Sequence, residues 1–440
     1  MRFTILLFFI SVHCVLGEPL ARDQFKGIAD RPDRTAELQE IIAGNQPVPG
    51  GIYRITKTLE IPLAERKAVI IQPGQGAVTI IMDGPGPALL LTGSHEGSAD
   101  PKSFQPATWN ERMPTIQGIE IVGNHSQADG IELRGCVQPV ISNVAVRWCR
   151  HGIRLAVRNR NVVISDCHLY ENSGIGLFLD DVNLHQINVS NSHISYNRGG
   201  GIVVRDGNVR NLQITGCDIE ANMPGTVKKT ETANIYIDVS GSEFEKSKSI
   251  AEIAITGCTI QHSANYGSRV GTIAEGGANI RLRGKEIWPI DSVTISGNVM
   301  SDTTTSVDID KAMDVTISGN TFFAPKPSNL VVTNSQRILV SGNTFNPRQF
   351  ERPGTIRFEN SKDCVLANCI MNDFIVKDGA VILRNCEGFQ VRGNILTGCR
   401  SGIVVEGSKD SKIHDNLFRR FEGEKTVAVD KGSKEIDVRQ

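Results

Sequence analysis

Short runs in which apolar and polar residues alternate recur along most of the chain, and each run is closed by Asn, Gly or Asp. Alternation with a period of two sends successive side chains to opposite faces of a strand, one toward a core and one toward water. Ile and Val fill the apolar positions, where a branched Cβ suits extended backbone. The closing residues tolerate the left-handed backbone that sharp turns demand. One six-residue motif returns as ISDCHL, VSNSHI, ITGCDI, ITGCTI, ISGNVM, ISGNTF, VSGNTF, LANCIM, VRGNIL and IHDNLF. Its fourth residue marks Cys167, Ser192, Cys217, Cys258, Asn298, Asn320, Asn343, Cys369, Asn394 and Asn416, with weaker precursors at Ile119 and Val144. Successive marks lie 22 to 26 residues apart, except for two intervals of 41 and 40. A second mark, the Ile of Gly-Ile-x-Leu and its variants, repeats at Ile131, Ile153, Ile175, Ile202, Ile235, Ile280, Ile356 and Ile403.

Two marks keeping one period define a solenoid, in which each unit packs only on its neighbours. The units leave no room for a helix, and the L-x-x-L-x-L pattern of leucine-rich repeats is absent. They read as coils of three short strands, so the expected fold is all-β: a right-handed parallel β-helix of about 12 coils. Stacking sets each marker residue about 4.8 Å from its counterpart in the next coil. Inward Asn amides then bond one another in a ladder, and Cys serves as a small buried hydrophobe. That reading places Cys167, Cys217, Cys258 and Cys369 in the core, without a redox or metal role.

Ahead of the coils, Asp33 to Ala43 (DRTAELQEIIA) has helical spacing, with Leu38, Ile41 and Ile42 on one face. A short N-terminal helix here would cap the open end of the solenoid and its strand edge. Next come VPGGIYRITKTLEI and AVIIQPGQGAVTII. With the coil pattern, these segments resemble the first coils of the pectate-lyase-like superfamily, over roughly residues 25 to 432. The resemblance implies the β-helix fold and leaves the reaction open. Residues 94 to 114 (SHEGSADPKSFQPATWNERMP) interrupt an early coil, and the two long intervals predict further loops near 223 to 232, 240 to 250 and 262 to 278. The expected organisation is a signal peptide over 1–17, cap, first coils and insertion over 18–114, and the repeat domain over 115–440.

The signal peptide is read from Arg2, the apolar run Phe3 to Leu16 and small Gly17. The run is too short to cross a bilayer, so the mature chain is expected outside the cytoplasm, extracellular or periplasmic, with no membrane insertion and as a monomer. Lys and Arg total 47 against 48 Asp and Glu, which leaves no basic excess to hold nucleic acid. Nine cysteines remain after cleavage, an odd number without C-x-x-C pairs, which argues against a full disulfide framework.

Candidate chemistry follows from columns of outward residues on adjacent coils. After the marker residue the column reads His168, His193, Asp218, and the next outward one Tyr170, Ser195, Glu220. Imidazoles and carboxylates at that spacing perturb each other's protonation and suit acid and base work. Two residues before the second mark stand Asp129, His151, Ser173 and Gly200, with Glu132 and Arg154 outward in the strands. Polygalacturonase-like members of the superfamily carry N-T-D, D-D and G-H-G at successive turns. Asp129 in ADGIEL matches the first motif, but RHGIRL puts Arg150 and His151 where the aspartate pair belongs, and no G-H-G histidine follows. Their mechanism therefore does not transfer.

A third group comprises Asp180 and Asp181 (FLDDV), one coil from Arg205 and Asp206 (VRDG). Carboxyls about 5 Å apart on adjacent coils would suit a retaining glycosidase, and about 9.6 Å across two coils an inverting one. Such a cluster also suits calcium, a hard cation; single aspartates at these positions equally serve as turn formers. Six arginines, at 134, 147, 150, 154, 158 and 160, would hold an acidic chain if several shared a face. The expected catalytic set is thus Asp129, His151, His168, His193, Asp180, Asp181 and Asp206, with Glu132, Arg154, Arg158, Arg205 and Asp218 binding substrate. The leading expectation is a secreted polysaccharide lyase or glycoside hydrolase on a linear acidic polysaccharide. The alternative is a noncatalytic, adhesive β-helix rod. Three Trp and five Tyr are few stacking platforms for a sugar groove.

Overall fold

The computed structural model describes residues 27–66, 69–98, 100–224, 231–241, 249–261, 275–324, 326–347, 354–423 and 425–439. Every strand pair in it is parallel, and each strand hydrogen-bonds to its counterpart one coil away. In the coil that begins at Cys167, a three-residue strand His168–Tyr170 belongs to a first sheet. A turn leads to Ile175–Ser190, which bends at Asp181 and supplies both a second and a third sheet. A second turn through Asn191 and Ser192 returns the chain to His193–Ser195.

The first sheet has 14 strands, so the helix has about 14 coils rather than 12. The two extra coils are Gly51–Ile55 and Val78–Met82, whose marker positions hold Gly51 and Val78 in place of Asn or Cys. The capping helix is Thr35–Ala43, with Leu38 and Ile42 buried in the core beside Ile55 and Leu59.

The core is built from inward columns. One of them stacks Val146, Leu169, Ile194, Ile219, Ile260 and Met300 through consecutive coils. The marker ladder forms as expected: Asn298 Nδ2 donates to Asn320 Oδ1 and Asn320 Nδ2 to Asn343 Oδ1, both at 3.0 Å. Cys167, Cys217, Cys258 and Cys369 lie in the same column, buried and unpaired, and the five other described cysteines are buried and unpaired too. A second ladder runs at the opposite turn through Asn172, Asn197, Asn222, Asn234 and Asn279, with Nδ2···Oδ1 distances of 2.8 to 3.0 Å.

The second mark needs one correction. Ile153 pairs with Leu177 and Leu177 with Ile202, so Leu177 and not Ile175 fills the inward position, and Ile175 takes the outward place expected for Ser173. The Gly before the mark explains the choice. A Cβ on Gly152 would come 2.4 Å from the carbonyl oxygen of Gly176, and one on Gly176 would come 2.9 Å from that of Gly201. Close coil approach therefore demands glycine at 176, which fixes the register.

The insertion at 94–114 carries a turn of 3-10 helix, Pro101–Ser103, and a helix, Pro106–Glu111, with His95, Thr108 and Glu111 buried. Much of the other predicted loops, and the signal segment, lie outside the described residues. No described helix is long and apolar enough to cross a membrane.

Candidate functional site

The outward face of the second sheet brings together much of the expected set. Glu132, Arg154, Phe178, Val203, Tyr236, Arg281 and Asp308 form one column there, and Arg134, Ala156, Asp180, Arg205, Asp238, Arg283 and Asp310 the next. Asp129 is buried at the head of the face. It accepts from Arg150 Nε at 2.9 Å and Nη2 at 2.5 Å, and from the backbone N–H of His151 at 3.0 Å. Glu132 is also buried, between Arg134 at 2.5 Å and Arg154 at 3.3 Å, and Arg154 donates on to Asp180 at 2.6 Å. These carboxylates are charge-paired. They hold neighbouring coils together, and their lone pairs are already engaged.

His151 sits among them with Nδ1 accepting the N–H of Ile175 at 3.1 Å. Burial pushes its pKa down, a trend opposed by Asp129 and reinforced by Arg150 and Arg154. Because Nδ1 accepts that N–H, the ring proton belongs on Nε2, and in this pose neither ring nitrogen is free to remove a proton. Beside it lies a buried apolar island of Ile175, Phe178, Val203, Ala233, Tyr236 and Ala278, and Arg205 stands over the Phe178 ring at 5.5 Å. Asp181 and Asp206 occupy the bends at φ 43° and 56°, the left-handed turn role.

The six arginines do not share a face. Arg147 pairs with Glu120 on the first sheet. Arg158 donates to the carbonyl of Gly97 in the insertion, and Arg160 to that of Asn183 at 2.7 Å on the third sheet. A triad missed in the sequence is Arg281 and Arg283 around Asp308, whose pKa is depressed: burial raises it, but the two guanidinium groups outweigh that. The opposite charges of NIRLRG and SVDID one coil apart were its only sequence signal.

The first sheet is different. His168, His193 and Asp218 align in one outward column, and Tyr170, Ser195, Glu220 and Gln261 in the next. The rings of His168 and His193 stack at 5.0 Å with 7° between planes, and His193 Nδ1 is 3.5 Å from Asp218 Oδ2. The side chains of His193 and Asp218 are 59% and 40% exposed, so this strip is open. Burial and the neighbouring Glu220 raise the pKa of Asp218, against the pull of His193. Burial and His193 lower that of His168. Glu220 accepts from Tyr196 Oη at 3.1 Å and Gln261 Nε2 at 3.4 Å. Trp148, whose indole N–H donates to Glu171, borders the strip with Tyr196. Among the described residues no group of three or more His, Cys, Asp or Glu gathers to hold a metal ion.

A family profile described as "Right handed beta helix region" matches residues 109–244 and 244–418. The chain belongs to the right-handed β-helix family. Solved structures similar to it include the mannuronan C-5 epimerase AlgE4 A-module of Azotobacter vinelandii, at 12% identity and TM-score 0.40, covering 92% of this chain and 96% of that one. The family 28 exopolygalacturonase of Yersinia enterocolitica is 13% identical with a TM-score of 0.42, over 92% of this chain and 76% of that one. The surface protein and adhesin PfbA of Streptococcus pneumoniae is 11% identical with a TM-score of 0.46, over 91% and 97%. No curated protein matches the chain. At these identities the β-helix likeness concerns the fold alone.

Proposed function

We propose that this β-helix is an exported carbohydrate-active enzyme that hydrolyses a linear acidic polysaccharide laid across the first-sheet strip of coils near residues 145 to 261. The observation that carries the reading is the pair Asp218 and Glu220, which share one face of one strand with the pKa of Asp218 raised. Residues two apart on a strand have Cα atoms roughly 6.7 Å apart, a spacing from which two carboxyls can reach the about 6.5–9.5 Å that leaves room for the water of an inverting glycosidase. Asp218, the carboxyl held toward its neutral form, is the general acid. Glu220, oriented by Tyr196 and Gln261, is the base that activates water. His193 positions Asp218, and His168 stacks behind it. Of the expected lyase or glycosidase this reading takes the glycosidase, and it gives the acid and base roles to an open strip rather than to Asp129 and Asp180, which are tied to arginine.

Incubating the mature protein with acidic and neutral polysaccharides, and reading reducing ends and unsaturated-product absorbance in parallel, tests this. Hydrolysis gives new ends without absorbance, and Asp218→Asn or Glu220→Gln should lower the rate by about 10²–10⁴-fold. Ends accompanied by absorbance would make the protein a lyase. One observation favours a second reading, a noncatalytic adhesive rod: Asp129, Glu132 and Asp180 are each charge-paired with arginine on the second-sheet face. Folded protein that binds a polymer and releases no ends would establish it.

A further inference from the structure

The coils of the regular C-terminal half bend between their second and third strands at Lys311, Asn334, Asn360, Asn385 and Gly407, all with φ between 48° and 58°. Stacked bends leave a groove running from coil to coil. It consists of two adjoining hollows, of about 260 Å³ and 420 Å³, that share Asn360 and Lys362. Its floor is a row of partly exposed amides. Asn334 Nδ2 donates to Asp310 at 2.7 Å, Asn360 Nδ2 to Asn334 at 3.4 Å, and Asn385 Nδ2 to Asn360 at 3.3 Å. The last two bonds are long, so these amides keep donors and acceptors for another partner.

One wall is a column in strict register: Gln336, Lys362, Glu387, Lys409 and Lys434. Lys285, Glu286 and Lys311 line the other end. Five lysines therefore face two glutamates. Glu387 is shared by Lys362 at 3.9 Å and Lys409 at 3.0 Å, and both lysine side chains are more than half exposed. Lys285, Lys311 and Lys434 make no ion pair among the described residues.

We infer that this groove is a second polysaccharide-binding site, which holds an acidic chain along the rod while the first-sheet strip acts on it. Lysines meet carboxylates as point charges, and the amide row meets hydroxyls through both donors and acceptors. Coils rise by about 4.8 Å, close to the length of one sugar, so successive sugars meet equivalent groups. The lining has no aromatic ring on which bases could stack, which argues against single-stranded nucleic acid. A second contact on one rigid body raises the effective concentration of the polymer at the first. The polymer class rests on the function proposed above; the groove as a site does not need that strip to be catalytic.

Affinity electrophoresis of the full chain through native gels containing polygalacturonate, alginate or neutral dextran tests the groove. Retardation by at least one of the two polyuronates and not by dextran is expected. Lys362→Ala, Lys409→Ala and Lys434→Ala combined should weaken it at least tenfold and leave turnover of short oligosaccharides unchanged. Asp218→Asn should lower turnover by about 10²–10⁴-fold while changing retardation less than twofold. If the triple variant loses its circular dichroism, Asn360→Asp, which sets a carboxylate on the floor, should weaken retardation in the same direction. Wild-type protein that runs alike in all gels, variants retarded as strongly as wild type, or tighter binding of an oligothymidylate would overturn the inference. Retardation without product would leave the groove standing and remove the hydrolase.

Discussion

Arg150→Ala tests whether Asp129 is a clamp or an available acid. The Asp129 side chain is 2% exposed and accepts two bonds from the Arg150 guanidinium and one from the His151 backbone. Removing the guanidinium leaves a buried carboxylate with a single N–H. Breaking a fully buried pair in this way costs about 3–5 kcal/mol. The Arg150 side chain is 38% exposed, so water already screens part of the attraction, and the expected loss is about 2 kcal/mol. Asp129→Asn on top of Arg150→Ala removes the charge, keeps an acceptor for the His151 N–H, and should restore about half of that loss. Urea unfolding followed by far-UV circular dichroism, on wild type, both single variants and the double variant, gives the coupling. If Arg150→Ala changes stability by less than about 0.5 kcal/mol, the size of an ordinary surface substitution, Asp129 is not clamped. Asp129 is then as available for acid and base work as the carboxyls of the first sheet.

Three further outcomes follow from the same geometry. Asn320→Ala should cost about 3 kcal/mol, because it orphans the Asn298 N–H and the Ile295 carbonyl; Asn320→Ser should cost less than half of that, since Ser192 already shows a hydroxyl accepting the corresponding N–H of Cys167 at 3.1 Å, and thermal denaturation of the two variants compares them. All nine described cysteines are buried, and burial pushes the thiols of Cys136 and Cys364 up to about 12, so Ellman's reagent at pH 8 should find no reactive thiol in the native chain and all nine of these in denaturant. Burial holds His95, His151, His168 and His185 below their ordinary pKa; the unfolded chain therefore binds more protons, and stability should be full above about pH 6.5 and fall as the pH drops through the lowered native values. A urea midpoint that stays flat from pH 7.5 to 5, or rises on acidification, would contradict that sign.

The fold was legible because a coil repeats its demands. At the marker turn only a small or amide side chain fits inside, so Asn, Cys and Ser recur at one period. The second ladder is legible as well: Asn172, Asn197 and Asn222 each stand five residues after a marker. The two first coils escaped because Gly51 and Val78 fill the marker position without an amide. The register at Ile175 escaped because Gly174-Ile175 and Gly176-Leu177 fit the pattern equally. Only the approach of one backbone to the next, at Gly176, separates them.

The site was harder to read for a reason that lies in the same stacking. An outward position bears no packing constraint, so its residue type says little until its neighbours one coil above and below are known. Glu132 and Arg154, expected to bind substrate, and Asp180, expected to be catalytic, are acidic and basic groups in consecutive coils. Consecutive coils, however, are in contact, and opposite charges there neutralise each other. On a β-helix, therefore, an acid beside an arginine at one-coil spacing is evidence for a clamp. Groups poised for proton transfer are sought where acids stand beside acids, or histidines beside histidines, on one face, whether along a column or along a strand. His168 over His193, and Asp218 two residues from Glu220, meet that condition on a face open to solvent.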